Sequence, residues 1–372
     1  MMLATIMFFT FYVTSLGGIV YLGYIFQRSK EQRYAEGDEK IDPNEIVVLV
    51  PFRNEAGRIA GLLESIKALT IRPQNIIFID DHSNDQTSEL IHKSLVGTDY
   101  EVLLLPNGVV GKKMAIRFAS DQTKSKYILT IDADVELPVD YFTSISSLGD
   151  ADMYVLPAIL KARRFIEHFY EIDLLLVTAT NAGLAGWKRP IMASGANLLY
   201  KRSTFDKVDN IEAHINSASG DDTYLLRDFR ESNADVRLHT NPQCAVTTET
   251  PQSLKEFIDQ RLRWIGKTGD VRDYLSTTLA VLQAILTLVF FAGLIWTAIG
   301  SNWMLFGLLL GFKAFTDLIL FFPYCYRVKR LSSWIFIPVY EILFPIYTLI
   351  LILLLFTYKP KWKGRDIYKL TD

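Results

Sequence analysis

Asp132 and Asp134 stand two residues apart in "YILTIDADVELP", directly after a short apolar run. Residues i and i+2 of an extended chain point the same way, so both carboxylates can address one space. Carboxylates that close repel each other, and a divalent cation is the partner that makes the pairing tolerable. Mg2+ or Mn2+ takes one or two carboxylates and fills its remaining positions with waters and substrate phosphates. A lone D-x-D is a weak sign, so its company decides. Asn54 and Glu55 follow "IVVLVPF", Asp80 and Asp81 close "NIIFIDD", and Asn107 follows "YEVLLLP". Neither GxxxxGK(S/T) nor GxGxxG occurs near the first of these runs, which argues against a P-loop or a dinucleotide site. A nucleotide diphosphate here would be held by carboxylates, a metal and the edge of a sheet.

The elements that must position these residues repeat between 46 and 135. Four apolar runs, ending with "YILTIDAD", alternate with helical stretches near 56–69, 85–94 and 112–122. Continuous apolar strands alternating with helices predict an α/β domain whose mainly parallel sheet is covered on both faces. The polar residues all fall at strand carboxyl ends, the edge where open α/β sheets bind ligands. Turn and N-cap preferences explain any one of these residues but not the whole set.

The chain has 372 residues, of which 50% are hydrophobic and 13% aromatic, and the apolar residues concentrate at its two ends. The net charge of −2 gives no sign of a nucleic-acid partner. Two cysteines make neither a disulfide framework nor a zinc set, and the five histidines form no HxxH or HxxxH pair. Residues 1–26 carry no charge and are followed by "QRSKEQR", which predicts an uncleaved anchor over 1–27 with its positive flank in the cytoplasm. Residues 274–312 are again uncharged, long enough for two spans broken at "GSNW", the second running past Lys313 and Asp317 to about 324. Those two ions are one helical turn apart and read as an internal pair. The run 331–358 is interrupted by Pro338, Glu341 and Pro345, and "KPKWKGR" in the basic tail 359–372 follows it. Positive flanks favour the cytoplasm, so 274–358 is expected to hold two spans and a third, broken or re-entrant element. The soluble domain is expected over 44–250, on the cytoplasmic side of an inner or plasma membrane. Between it and the spans, 251–270 reads as an amphipathic interfacial helix, with Leu254, Phe257, Ile258, Leu262 and Ile265 at helical spacing.

Taken in order, "VPFRNEA", "IDDHSNDQT", "GKKMAI", "TIDADVELP", "SGDDTYLLRDF" and "QRLRW" resemble the blocks of the family 2 glycosyltransferases, over about 46–266. The resemblance implies the GT-A fold and a hexosyltransferase-type enzyme using a nucleotide-diphospho-sugar, most simply UDP-linked, with Mg2+ or Mn2+ as cofactor. It implies that Pro51, Glu55 and Asp81 line a uridine pocket with Asp80 close by, and that Lys112 lies near base or phosphates. Asp134 would ligate the metal and Asp132 the ribose or a metal-bound water. Gly195 and Asn197 would lie beneath the donor sugar. Asp222 would be the general base, with Asp221 standing where the family usually has Glu. Gln260, Arg263 and Trp264 would face the site, Arg263 on pyrophosphate and Trp264 against an acceptor. His82 replaces a commoner Gly. A membrane lipid or lipid-linked acceptor would explain fixing a soluble fold between spans. A processive polysaccharide synthase shares Gln-x-x-Arg-Trp and is the nearest alternative. A nucleotidyltransferase would share the sheet and carboxylates and release pyrophosphate instead, and a scaffold with a relict site would bind no metal–nucleotide.

Overall fold

The structure, a computed structural model, describes residues 2–37, 39–208, 221–270, 273–358, 361–362 and 365–366. For 2–7, 35–37, 221, 267–270, 361–362 and 365–366 it describes the backbone alone. Most of the expected basic tail therefore lies outside the described residues.

The chain opens with helices α1 (Met2–Leu16) and α2 (Gly23–Gly37), joined by a π-helical stretch at Gly17–Leu22. Then come β1 (Ile46–Phe52), α3 (Ala60–Ala68), β2 (Asn75–Asp80), α4 (Thr87–Ser94), β3 (Glu101–Leu104), α5 (Lys112–Asp121) and β4 (Tyr127–Ile131). β5 (Val135–Glu136), α6 (Tyr141–Ile145), β6 (Met153–Val155) and β7 (Ala158–Lys161) follow, and then the long helix α7 (Phe165–Gly186). The chain continues through β8 (Asn197–Lys201), α8 (Arg202–Val208), α9 (Asp221–Glu231), β9 (Val236–Leu238) and β10 (Val246–Glu249). It ends in α10 (Leu254–Asp270), α11 (Tyr274–Ile299), α12 (Trp303–Arg327), α13 (Leu331–Trp334) and α14 (Ile337–Thr357).

These elements divide into two units, 1–28 with 162–191 and 250–365, and 29–161 with 192–249 and 366–372. The expected single soluble stretch 44–250 is thus interrupted: 162–191 belongs with the apolar helices, and the soluble unit begins before residue 44.

The soluble unit is α/β. Its seven-stranded sheet has the order β3-β2-β1-β4-β8-β6-β9. β1 runs parallel to β2 and β4, and β2 parallel to β3. β8 is antiparallel to both β4 and β6, while β6 and β9 are parallel. All seven residues of β1 and all five of β4 are buried, which is why they read as unbroken apolar runs. The edge strand β3 alternates less cleanly and leaves Leu104 64% exposed. A three-stranded sheet, β5-β10-β7, accompanies the main one.

The other unit holds the apolar helices. Among the described residues, four are long and apolar enough to cross a membrane: 8–34, 274–299, 303–327 and 337–357. Exposed Val281, Ile285 and Val289 form a stripe on α11, and Ile342, Ile346 and Ile350 another on α14. Such stripes are costly in water and ordinary against lipid. The expected break within 331–358 falls elsewhere. Residues 335–336 separate the short α13 from α14, which is one continuous helix of 21 residues. Pro338 sits in its first turn, where a missing N–H costs nothing, and only Pro345 lies inside it. Lys313 is 4% exposed and bonds Asp317 at 3.1 Å and also Glu341, whose charge is thereby matched rather than a signal for a bend. Tyr12 donates its hydroxyl to the same Asp317 at 2.7 Å, so the ion pair read from sequence is a four-residue cluster joining α1, α12 and α14.

Sequence reading gave no place to α7, whose 22 residues pack on the π-helical stretch. The crossing is so close that a Cβ on Gly186 would stand 1.8 Å from the Gly23 carbonyl oxygen.

Candidate active site

From β1 the chain winds outward through β2 and β3, then returns so that β4 lies on the other side of β1. The carboxyl ends of β1 and β4 therefore flank a topological switch point, the place where open α/β sheets form a crevice. Asp132 and Asp134 leave β4 there. Both are partly exposed, and Ala133 between them is 3% exposed, in a turn between β4 and β5 rather than in the extended chain that the i, i+2 spacing assumes.

Three further elements converge on Asp132. Lys112, the first residue of α5, donates from Nζ to Asp132 Oδ1 at 2.6 Å and to the Gly195 carbonyl at 3.1 Å. Gly111 before it has φ +98°, a conformation L side chains rarely adopt, and its N–H bonds Asp81 Oδ2 at 3.1 Å. That bond pins the approach to α5 against the end of β2. Gly195 arrives because β8 is antiparallel to β4: Ile131 pairs with Asn197, so the start of β8 lies beside the end of β4. The Gly195 N–H in turn donates to Asp222 Oδ2 at 3.0 Å. Asp222 occupies the first turn of α9, where the helix dipole favours an acid, and its Oδ1 accepts from the Thr223 N–H at 2.7 Å. Asp132, Lys112, Gly195 and Asp222 are thus one hydrogen-bonded chain. Asp134 faces Arg58, whose guanidinium lies 4.0 Å away; sequence reasoning missed Arg58, although it stands in the same post-strand turn as Glu55.

The neighbouring strand ends hold the other acids more tightly. Pro51 is buried in β1 opposite Ile79. Glu55 is 9% exposed, and its N–H bonds the Thr87 hydroxyl at 2.9 Å. Asp80 accepts from the Ser83 N–H at 2.7 Å and the Ser88 hydroxyl at 3.1 Å, so both of its oxygens shape the loop after β2. Asp81 is buried, and its carbonyl accepts from Arg53 at 2.7 Å. Asp85 accepts from the Thr87 N–H at 3.1 Å and the Ala56 N–H at 3.0 Å. Burial would raise its pKa, but the Thr87 hydroxyl and these N–H groups hold it below the usual range. His82 has φ +56°, which explains why glycine is common at such a position. Its Nε2 lies 3.0 Å from the Val109 carbonyl, and since a carbonyl only accepts, Nε2 carries the proton.

Asn197 departs from expectation. It is fully buried: Oδ1 accepts from Tyr141 at 2.6 Å, and Nδ2 donates to the carbonyls of Pro157 at 2.7 Å and Cys244 at 2.8 Å. Those bonds commit its amide to the core, so it braces β8 and offers nothing to a sugar hydroxyl. Asp221 opens α9, but its side chain lies outside the described residues, as does Gly220.

Gln260, Arg263 and Trp264 stand on α10 in the other unit. Burial pushes the Arg263 guanidinium below its ordinary range, against the opposing pull of Asp259 and Glu256. Leu254 and Ile265 of the apolar stripe are exposed, whereas Phe257 and Leu262 are buried, together with Arg261 at 4% exposure. Sequence spacing did not place that cation on the buried face.

Among the described residues, no group of three or more His, Cys, Asp or Glu is disposed to hold a metal by itself. Two partly exposed carboxylates just past a strand end are the ligand type for a hard cation that takes its other ligands from a diphosphate and water. Lys112 and Arg58 beside them are cations suited to the same phosphates.

Residues 47–209 match the model of glycosyl transferase family 2. The 4,4'-diaponeurosporenoate glycosyltransferase of Staphylococcus haemolyticus is 37% identical over 94 residues, 25% of this chain and 24% of that one. The undecaprenyl-phosphate 4-deoxy-4-formamido-L-arabinose transferase of Yersinia enterocolitica is 24% identical, over 68% of this chain and 79% of that one. The poly-beta-1,6-N-acetyl-D-glucosamine synthase of Staphylococcus aureus is 25% identical, over 68% of this chain and 63% of that one. The chain therefore spans about a quarter of the first relative's length and less than two thirds of the third's.

Proposed function

We propose, from the match of residues 47–209 to the glycosyl transferase family 2 model, that the chain moves a sugar from a nucleotide-diphospho-sugar, UDP-linked in the simplest case, to a lipid or lipid-linked hydroxyl. The observation that carries this reading is the hydrogen-bonded chain from Asp132 through Lys112 and Gly195 to Asp222 at one sheet edge, with Asp134 two residues beyond Asp132. It supports reading Asp132 and Asp134 as a cation-binding pair and Asp222 as the base.

Asp222 takes the proton of the acceptor hydroxyl as its oxygen bonds to the anomeric carbon. The bond from that carbon to the diphosphate breaks in the same step, and the electron pair leaves with the nucleotide. One displacement inverts the anomeric centre. Asp134 and Asp132 would hold Mg2+ or Mn2+, which supplies positive charge to the departing diphosphate. Lys112 and Arg58 add fixed cations on that side. Glu55 and Asp81, at the ends of β1 and β2, serve the uracil or ribose as acceptors. For Arg263 on pyrophosphate and Trp264 against an acceptor, the support is the resemblance of "QRLRW" to the family block alone.

Four helices long and apolar enough to span a membrane support a lipid-phase acceptor. So does the name of the Yersinia relative, an undecaprenyl-phosphate transferase. The basic flanks at 28–33 and 327–330 favour a catalytic unit on the cytoplasmic face. A processive synthase is the second reading, supported by Gln260-x-x-Arg263-Trp264 and by the Staphylococcus aureus relative.

Membranes containing the chain, incubated with a panel of nucleotide sugars and extracted for mass spectrometry, test the proposal. A lipid gaining one sugar mass supports it, a ladder on a gel supports the processive reading, and pyrophosphate release without sugar transfer points to a nucleotidyltransferase.

A further inference from the structure

Arg261 belongs to no part of the mechanism so far, yet it is one of the most buried cations of the helical unit, at 4% exposure. A guanidinium in such a place must have its charge matched and its donors used. Its Nε donates to Asp173 Oδ2 on α7. The other oxygen of Asp173 accepts from the Tyr340 hydroxyl of α14 at 2.9 Å, so that carboxylate is clamped from two helices. The remaining donors reach a neighbour on its own helix and the backbone of α7. Nη1 donates to Gln260 Oε1 at 3.0 Å, and Nη2 reaches the Tyr170 carbonyl at 3.4 Å. The plane lies over the Trp264 ring, 4.1 Å from its centroid, and 4.6 Å from that of Phe257.

Side chains of the Gln and Trp type have several rotamers open to them. One rigid, planar group fixes the amide of the first and the ring of the second. Only arginine can do this: a lysine would keep the pair with Asp173 but has no flat face and no fork of donors. We propose that Arg261, anchored by Asp173, is a positioning residue that sets the Gln260 and Trp264 side chains for sugar transfer. This rests on the reading that the Gln-x-x-Arg-Trp segment takes part in transfer.

The test uses full-length protein in detergent, labelled with 5-fluorotryptophan, with the Trp264 fluorine resonance assigned by its loss in Trp264→Phe. Arg261→Lys is expected to move or broaden that resonance. It is also expected to lower kcat by about tenfold to a hundredfold, a size typical of misplaced groups, while donor affinity stays put. Tyr340→Phe, which keeps the ion pair and loosens its anchor, serves if Arg261→Lys does not fold, and should shift both readouts less in the same direction. In a Gln260→Ala/Trp264→Phe background, Arg261→Lys should change the rate no further. An unmoved Trp264 resonance overturns the proposal whatever the activity. So does an undiminished rate with a displaced ring, or a full loss in the background lacking both partners, which would make Arg261 a matter of folding alone. Wild-type protein that turns over no sugar nucleotide refutes the functional reading and the role in transfer with it, and the resonance still reports whether the ring is held.

Discussion

The Gly195 N–H donates to Asp222 Oδ2 at 3.0 Å, joining the loop before β8 to the first turn of α9. The bond orients a carboxylate that a helix start alone would leave free to rotate. Because the Gly195 carbonyl also accepts from Lys112 at 3.1 Å, one peptide segment is gripped from both sides, by the candidate base and by the cation beside Asp132. A group bound over Gly195 would contact residues with three different tasks.

Lys112→Met removes the middle of that chain. Its side chain and that of Asp132 are 19% and 40% exposed, so solvent screens the pair and folding should lose about 1 kcal/mol or less. Donor affinity should fall further, by about tenfold to a hundredfold, because a charge-assisted phosphate contact is worth roughly 1.5–3 kcal/mol. Parallel thermal melts and UDP titrations check this; equal loss in both would make Lys112 a structural residue.

Asp134→Ala should abolish the metal dependence of UDP binding. Calorimetry with UDP in the presence of Mn2+, and again with chelator, should show two different affinities for wild type and one weak affinity for the variant. Unchanged Mn2+-dependent binding would leave Asp134 as a turn residue.

Gly111→Ala probes the φ of +98° directly, since a Cβ there meets nothing within 4 Å. The cost should be backbone strain alone, about 1–3 kcal/mol, read as a lowered melting temperature. Activity should fall as well, because Lys112 is the next residue. A variant as stable and as active as wild type would show that the turn relaxes freely.

The strands were legible because β1, β2 and β4 are buried on both faces and read as unbroken apolar runs, and their acids stood out by contrast. α7 was not legible. It carries Glu167, His168, Glu171 and Asp173 in a mostly apolar stretch, and the partner of Asp173 is 88 residues away. Asn197 shows a different limit: the same letter suits a sugar contact and a core brace, and only the positions of Tyr141 and Cys244 decide between them. Asp222 was found because its block resembles a family pattern, whereas its bond to Gly195 depends on β8 running antiparallel.

Lys313→Met tests the cluster among the apolar helices. It strips the cation from between Asp317 and Glu341, which are 2% and 1% exposed. Leaving buried carboxylates unmatched costs about 3–5 kcal/mol. Thermal unfolding in detergent should drop accordingly and recover in part when Glu341→Gln is added. Stability equal to wild type would mean that the carboxylates find protons or water at no cost.

The sharpest measurement compares wild type with Asp222→Asn for nucleotide diphosphate release and sugar transfer at saturating donor and Mn2+. Asn keeps the shape and the capping acceptor but cannot take the acceptor's proton. A general base contributes about 10²–10⁴-fold in rate, whereas a helix cap acts on folding and contributes about 1 kcal/mol. The account predicts a variant that melts like wild type, binds UDP and Mn2+ as well as wild type, and transfers at least about a hundredfold more slowly. Transfer within a few-fold of wild type would contradict it and move the base away from Asp222.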